Sequence, residues 1–136
     1  MKNKKILCPY CNSTAVLRDA SFVYGKKSKG GQVYVCSHYP SCDSYVGVHP
    51  GTLLPKGTLA NKPLREKRIH AHRIFDQIWK NGILNKAQAY RWIADKFCLN
   101  IRQAHIGMFS EYMCDQLIKE AMKVLHNNRI LQHKAA

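Results

Sequence analysis

The stretch VCSHYPSCDSYVGVHP, residues 35–50, places two cysteines, Cys36 and Cys42, at the ends of a short polar loop. A second close pair, Cys8 and Cys11, lies upstream in CPYC, with 24 residues between the two pairs. Two pairs of thiolates form the ligand set of a tetrahedral structural zinc site, and four protein ligands leave no position for a catalytic water. The spacing therefore predicts one structural Zn²⁺ held by all four cysteines.

Histidine ligands and disulfide bonds are the alternatives to this ligand set. His38 lies inside the second pair and His49 follows it, but four thiolates make a histidine ligand unnecessary. The apolar part of the N-terminus is too short for a signal peptide, so we expect a cytoplasmic protein whose thiols stay reduced and bind metal. Cys98 and Cys114 fall at apolar positions of helical patterns, and we expect both to be small core residues.

The segment between the cysteine pairs predicts a β-hairpin. TAVLRDASFVYG, residues 14–25, and QVYV, residues 32–35, are rich in β-branched and aromatic side chains, and KKSKGG between them is a turn signal. DSYVGVH, residues 43–49, adds a third strand. The fold class is therefore α+β, with a small zinc ribbon over residues 1–50 whose folding depends largely on the metal.

The rest of the chain predicts a linker and a helical region. HPGTLLPKGTLANKP, residues 49–63, contains three prolines and two glycines, so residues 51–62 form an ordered linker. Residues 63–128 form a compact three-helix region, and residues 129–136 form a flexible tail. Asn85 and Ser110 are the expected N-caps of the second and third helices. The expected apolar positions are Leu64, Ala71, Phe75, Ile78 and Trp79 in the first helix, Ala89, Ile93 and Phe97 in the second, and Cys114, Leu117, Ile118, Ala121, Val124 and Leu125 in the third.

The charge of the chain predicts a polyanionic partner. The chain contains 22 Lys+Arg against 8 Asp+Glu, which gives a net charge of +14. Nucleic acid is the commonest polyanion that so basic a protein binds. Strand alternation predicts that Phe22 and Tyr24 share one face, where rings either stack on bases or form a small core. A solvated basic surface is the alternative for the charged residues. The candidate nucleic-acid contacts are Lys26, Lys27, Lys29, Tyr34, Tyr39, Arg65 and Arg68.

Two resemblances extend this interpretation. CPYC followed by YVCSHYPSC resembles the four-cysteine zinc modules at the C-terminal end of type IA DNA topoisomerases, over residues 6–48. That resemblance implies accessory contacts to single-stranded DNA, although the hairpin is longer here and the catalytic domains have no counterpart. CPYCNSTAVLRDASFVYG, VCSHYPSCDSYVGVHPGT, PKGTLAN and AHIGMFSEYMCDQL resemble an uncharacterised zinc-finger-containing family of bacteria, phages and prophages, which implies the architecture and a phage or mobile-element origin.

The chain shows no pattern that predicts catalysis. His70 and His72 are two apart on a predicted helix and do not share a face, and the acidic residues do not cluster as a magnesium site requires. We expect a non-enzymatic, zinc-dependent protein that binds nucleic acid, DNA rather than RNA, and favours single-stranded or opened DNA. The alternative is a phage-type factor that docks on a host transcription, replication or defence protein. An accessory role in a nuclease complex stays open; no membrane or small-molecule partner is expected, and a phage-encoded protein would act in the host cytoplasm.

Overall fold

The computed structural model describes residues 5–128, which divide into two compact units, one ending at Pro63 and the other starting at Leu64. The predicted tail, residues 129–136, lies outside the described residues. The expected α+β fold is confirmed: an N-terminal three-stranded antiparallel sheet is followed by helices. The elements are β1 Ala15–Asp19, α1 Ser21–Tyr24, β2 Gln32–Cys36, β3 Tyr45–Gly47, α2 Lys62–Lys80, α3 Lys86–Lys96 and α4 Glu111–Asn127.

The sheet has the strand order β1-β2-β3, and its register pairs Ala15 with Cys36 and Val35 with Tyr45. Alternation along β2 sends Tyr34 and Cys36 to one face and Val33 to the other. Each face carries a small core. The metal-side core contains Cys8, Cys36, Val46 and Leu59 with Ile6, Ala15, Tyr34 and Cys42 packed against them, and the valine-side core contains Ala20, Val33 and Val35 with Val23, Tyr39 and Tyr45.

The predicted first strand is wrong beyond Asp19. Its carboxylate accepts a hydrogen bond from the Ser21 N–H at 2.9 Å, and the N–H groups of Val23 and Tyr24 both donate to the Ala20 carbonyl. This local bonding turns residues 21–24 into the short helix α1, against their β propensity, because a side-chain acceptor offers the backbone an alternative to the ladder. The two-residue alternation expected for Phe22 and Tyr24 is therefore absent.

Residues 51–62, predicted as a linker, run beside the sheet. Tyr45 and Ala60 exchange both backbone hydrogen bonds, at 3.2 and 3.0 Å, and the Lys56 N–H donates to the Gly47 carbonyl at 2.8 Å. Leu59 is fully buried in the metal-side core. The segment therefore pairs with the free edge of β3 and supplies apolar area that so small a sheet needs.

The second unit contains the long helices, and both predicted N-caps are confirmed. Asn85 and Gln88 form a reciprocal capping box at the start of α3, and the Ser110 hydroxyl accepts a hydrogen bond from the Met113 N–H at the start of α4. The buried side chains of these helices are Leu64, Ala71, Phe75, Ile78, Ala89, Ile93, Ala94, Cys114, Leu117, Ala121 and Leu125.

The expected position of Cys98 in the core is wrong, whereas Cys114 is buried as predicted. Helix α3 ends at Lys96, and Cys98 is exposed with φ of 55°, in the left-handed region. The Leu99 N–H donates to the Ala94 carbonyl at 2.8 Å, the bond that closes a helix whose first residue beyond the cap is left-handed. Within residues 5–128, none of the helices combines the length and the apolar character needed to cross a membrane.

Candidate metal centre

The four predicted ligands come together in the first unit. All four Sγ atoms lie within 4.8 Å of one another, with Cys8 and Cys42 at 3.5 Å and Cys11 and Cys36 at 3.4 Å. A tetrahedron with Zn–S bonds of about 2.3 Å has edges of about 3.8 Å, whereas a disulfide bond would need about 2.05 Å. Each short contact joins one cysteine pair to the other. The sulfur cluster therefore fits one structural zinc ion and no disulfide.

Two tight turns position the sulfurs. In the first, the Asn12 N–H donates to the Cys8 carbonyl at 2.8 Å, and Asn12 takes φ of 63°, a left-handed conformation that asparagine tolerates well. In the second, Cys36 ends β2 and the Tyr39 N–H donates to its carbonyl at 2.9 Å. The cysteines thus sit on hydrogen-bonded turns, one of them anchored directly to the sheet.

Backbone amides also point at the sulfurs. The Tyr10 N–H donates to the Cys8 Sγ at 3.4 Å, and the His38 N–H donates to the Cys36 Sγ at 3.4 Å. The first cysteine of each pair therefore accepts an amide from the residue two positions later. Such donors stabilise negative charge on a thiolate and orient it toward a cation.

Ser44 is a partner of the site that the sequence analysis missed. Its side chain is fully buried, and its hydroxyl lies 3.1 Å from the Cys8 Sγ and 3.6 Å from the Cys42 Sγ. A serine two residues after a cysteine has no distinctive pattern, so no signal in the sequence marks it. Only the fold shows that this hydroxyl contacts a sulfur of each cysteine pair.

The thiol pKa values show why the cluster needs a cation. Hydrogen bonds involving Ser13 lower the pKa of Cys11 to about 6, whereas burial raises the pKa of Cys36 to about 12. At Cys8, burial opposes ionisation, but hydrogen bonds from Ser44 and from backbone amides outweigh it and lower the pKa. Four thiolates this close, one of them strongly desolvated, require a positive ion between them.

The two histidines that could have replaced a cysteine lie outside the sulfur cluster. The exposed His38 places its Nδ1 at 3.2 Å from the Ser13 hydroxyl and 3.8 Å from the Cys11 Sγ, so it borders the site. His49 is exposed, and its carbonyl accepts a hydrogen bond from the Thr52 hydroxyl at 2.8 Å. Among residues 5–128, the four cysteines are the one group with the geometry of a metal site.

A second feature of the first unit is a set of contacting rings, which we call the aromatic face: Phe22, Tyr24, Tyr39 and Tyr45. Ring centroids are 5.6 Å apart for Phe22 and Tyr39, 6.4 Å for Tyr39 and Tyr45, and 5.8 Å for Tyr24 and Tyr45. Phe22 and Tyr24 are 47% and 49% exposed. The guanidinium of Arg18 lies 4.8 Å from the centroid of the Phe22 ring, a cation–π contact.

The hairpin residues predicted to contact nucleic acid occupy different places. Lys26 and Lys27 form part of a 3₁₀ turn directly after α1, Lys29 lies in the loop before β2, and all three are exposed. Tyr39 belongs to the aromatic face. Tyr34 lies in the metal-side core instead, where its hydroxyl donates to the Leu53 carbonyl at 2.7 Å.

The two predicted arginine contacts belong to the second unit. Arg65 and Arg68 lie on α2 and are half-buried, and the Arg68 Nε donates to the Phe109 carbonyl at 3.0 Å. That bond gives Arg68 a structural role within the helical unit. The predicted contacts therefore fall on both units, whereas Arg18 and Tyr45, which the sequence analysis missed, belong to or contact the aromatic face.

Comparison with known proteins adds one finding. A family model, described as a zinc-finger-containing domain, matches residues 4–124, which include all four cysteines and most of the helical unit. Comparison with curated proteins and with solved structures gave no match.

Proposed function

The chain belongs to the DUF3268 family of zinc-finger-containing domains, and from that premise we propose that it is a zinc-dependent, non-enzymatic protein that binds single-stranded or locally opened DNA. The observation that carries this proposal is the aromatic face, whose two half-exposed rings adjoin a turn with two exposed lysines. The resemblance of the ribbon to topoisomerase zinc modules supports DNA over RNA. Free cysteines at the metal site suit the cytoplasm, where thiols stay reduced.

Exposed rings beside cations favour single strands for a physical reason. Bases of a single strand can stack on protein rings, each contributing about 1–3 kcal/mol, whereas a duplex hides the base faces in its own stack. Phe22 and Tyr24 each keep about half of their surface accessible, at 47% and 49%. Tyr39 and Tyr45 are partly buried, and each contacts one of the exposed rings, Tyr39 that of Phe22 and Tyr45 that of Tyr24.

The electrostatics of the first unit support a polyanionic ligand. Its acidic residues are Asp19 and Asp43, and each carboxylate accepts a backbone amide, from Ser21 and Lys62 respectively. Hydrogen bonds from Ser21 lower the pKa of Asp19, because they stabilise its charged form. The remaining charged side chains of the hairpin are cations, which attract phosphate through long-range forces.

The chemistry of the site supports a structural rather than a catalytic metal. A zinc ion held by four thiolates has no open position at which to activate water or polarise a substrate. The His72 and Asp76 side chains are paired at 3.0 Å on α2, and Asp76 also accepts from the Trp79 Nε1 at 3.1 Å. That arrangement is an ordinary i,i+4 helix pair, which supports a protein without its own active site.

Removing the exposed rings tests the proposal. Phe22→Ala and Tyr24→Ala should each weaken single-strand binding by about 1–3 kcal/mol and change duplex binding little. The matched control is Tyr112→Ala, a 68% exposed tyrosine on α4. Fluorescence anisotropy with single-stranded and duplex oligonucleotides measures the effect, while zinc content and melting temperature verify the fold. Equal affinities of wild type and both ring variants for single strands would contradict the proposal.

A salt titration tests the role of the hairpin lysines. Replacing Lys26, Lys27 and Lys29 by Ala together should weaken binding and flatten the dependence of log K on log salt by up to about 2 units, because each lost phosphate contact removes about 0.7. The matched control is a single variant with Lys86→Ala, Lys119→Ala and Lys123→Ala together, which removes the same number of positive charges from the second unit. An unchanged slope in the hairpin variant would assign the phosphate contacts elsewhere, with Arg65 the first candidate.

A second candidate function is protein docking, as expected of a phage-type factor that binds a host transcription, replication or defence protein. The observation in its favour is the adjacent pair Leu53 and Leu54, which are 60% and 64% exposed. Pull-down from a host lysate with and without nuclease treatment separates the two functions. A stoichiometric protein complex that survives the nuclease, and that Leu54→Ser abolishes, would favour docking; loss of all bound material with the nuclease favours nucleic acid.

A further inference from the structure

An open groove of about 780 Å³ lies on the first unit, between the hairpin loop and the segment that follows β3. The hairpin loop contributes Lys29, Gly30 and Gly31 to its lining, the segment after β3 contributes residues 50–53 and Lys56, and Tyr24 also lines it. Its volume is in the range of ligand-binding sites. The groove shares Tyr24 with the aromatic face and is otherwise separate from it.

The groove has the charge of an anion site. Its lining residues include two lysines, Lys29 and Lys56, and no aspartate or glutamate. Lys56 is exposed, and no sequence motif distinguishes it from the other lysines of the chain. Two cations that face one groove without a carboxylate attract a phosphate, which each ammonium group can bind through several N–H donors.

The two lysines come from separate segments of the chain, the hairpin loop and the segment after β3. The Lys56 N–H donates to the Gly47 carbonyl at 2.8 Å, and a Cβ added at Gly47 would lie 3.7 Å from the Lys56 Cδ, so the lysine stem lies against β3. Next to Lys29 in the hairpin loop, Gly30 and Gly31 have φ of 90° and 88°, which other residues adopt only with strain. A Cβ at either position would meet no atom within 4 Å, so the loop leaves the groove open.

We propose that this groove binds one nucleotide unit of a single-stranded nucleic acid, with its phosphate between the ammonium groups of Lys29 and Lys56 and its base against the Tyr24 ring. The proposal rests on the proposed function and deepens it, since Tyr24 connects the groove to the aromatic face. A strand whose phosphates follow the groove can place consecutive bases on Tyr24 and on the neighbouring rings.

Lys56 gives the sharpest test, because it belongs to the groove and not to the hairpin turn. With an oligothymidylate of about eight nucleotides as the probe, Lys56→Ala and Lys29→Ala should each reduce the salt slope by about 0.7, and the double variant by about 1.4. The matched control is Lys5→Ala, which removes an exposed lysine of the same unit outside the groove. Lys56→Arg keeps the positive charge, so its salt slope should equal that of the wild type. This variant distinguishes a lost phosphate contact from a damaged fold.

The outcomes separate the groove from the wider proposal. If wild type binds the oligothymidylate and Lys56→Ala behaves as Lys5→Ala does, the groove proposal is overturned and the aromatic face stands alone. If wild type binds no single strand, both fail together. Inorganic phosphate and thymidine monophosphate are the competitors: weak competition supports a polymer site, whereas competition by either as strong as that of the oligonucleotide overturns it in favour of a site for small phosphates.

Discussion

Replacing Ser44 by alanine is a specific test of the metal centre, because this hydroxyl is the buried polar contact of the sulfur cluster. Ser44 is fully buried, and its Oγ lies 3.1 Å from the Cys8 Sγ and 3.6 Å from the Cys42 Sγ. Ser44→Ala keeps the Cβ and removes the donor alone. The change therefore leaves all four ligands in place and alters only the hydrogen bonding of two of them.

The expected magnitude follows from the charge on the acceptor. A hydrogen bond to a charged group contributes about 1.5–3 kcal/mol, and outer-shell partners of metal ligands typically change metal affinity by about 10–100-fold. We expect Ser44→Ala to weaken zinc binding within that range. Since the Ser44 hydroxyl helps to lower the pKa of Cys8, its loss raises that pKa, protons compete better with zinc, and the pH of half-maximal zinc loading moves upward.

Competition with a chromophoric chelator measures the zinc affinity of each variant. The matched control is Ser37→Ala, an exposed serine in the same turn as Cys36, for which we expect a change of about twofold or less. Circular dichroism of the zinc-loaded proteins verifies that both variants fold. Zinc affinity in Ser44→Ala equal to that of Ser37→Ala would refute the reasoning, because it would show that the buried hydroxyl does not stabilise the bound thiolates.

Three further predictions concern stability and pH. Cys98→Gly should raise the free energy of unfolding of the second unit by about 1 kcal/mol, because the left-handed φ of 55° is strained for cysteine. Urea denaturation measures the change, and an unchanged midpoint would contradict this prediction. A strong chelator should abolish the dispersed amide signals of Val33 and Val35 while those of Phe75 and Leu117 persist, since the metal site and the valine-side core both lie in the first unit, whereas Phe75 and Leu117 belong to the second. Loss of both sets of signals would contradict this prediction. Ser13→Ala should raise the pKa of Cys11 from about 6, so zinc should be lost at a higher pH. An acid titration monitored with a zinc-responsive dye measures the midpoint of zinc loss, and an unshifted midpoint would contradict this prediction.

The features that were predictable from the sequence are those set by local chemistry. Cysteines in two close pairs have few uses where thiols stay reduced, so their spacing alone identifies the site. The caps at Asn85 and Ser110 were predictable for a similar reason, since a capping side chain bonds to the amide three residues later. The stripe of buried residues on α4 follows from helical periodicity alone.

The features that the sequence did not reveal depend on competition between local hydrogen bonding and strand propensity, or on contacts between residues that are far apart in the sequence. Residues 21–24 have strand propensity, but the bond from Ser21 to Asp19 starts a helical turn that no propensity scale predicts. Cys98 fits an apolar helical position, but α3 ends before it. Ser44 and Lys56 acquire their contacts only when β3 and the following segment fold beside the sheet, so no pattern within their own segments could identify them.

The zinc content of cysteine variants tests the central claim most directly. Inductively coupled plasma analysis of the purified protein should find one zinc per chain in wild type, in Cys98→Ser and in Cys114→Ser, because neither of these thiols belongs to the sulfur cluster. Cys8→Ser, Cys11→Ser, Cys36→Ser and Cys42→Ser should each lose the metal or bind it far more weakly. Full zinc occupancy in Cys42→Ser, or loss of zinc in Cys98→Ser, would contradict a structural centre built from these four thiolates.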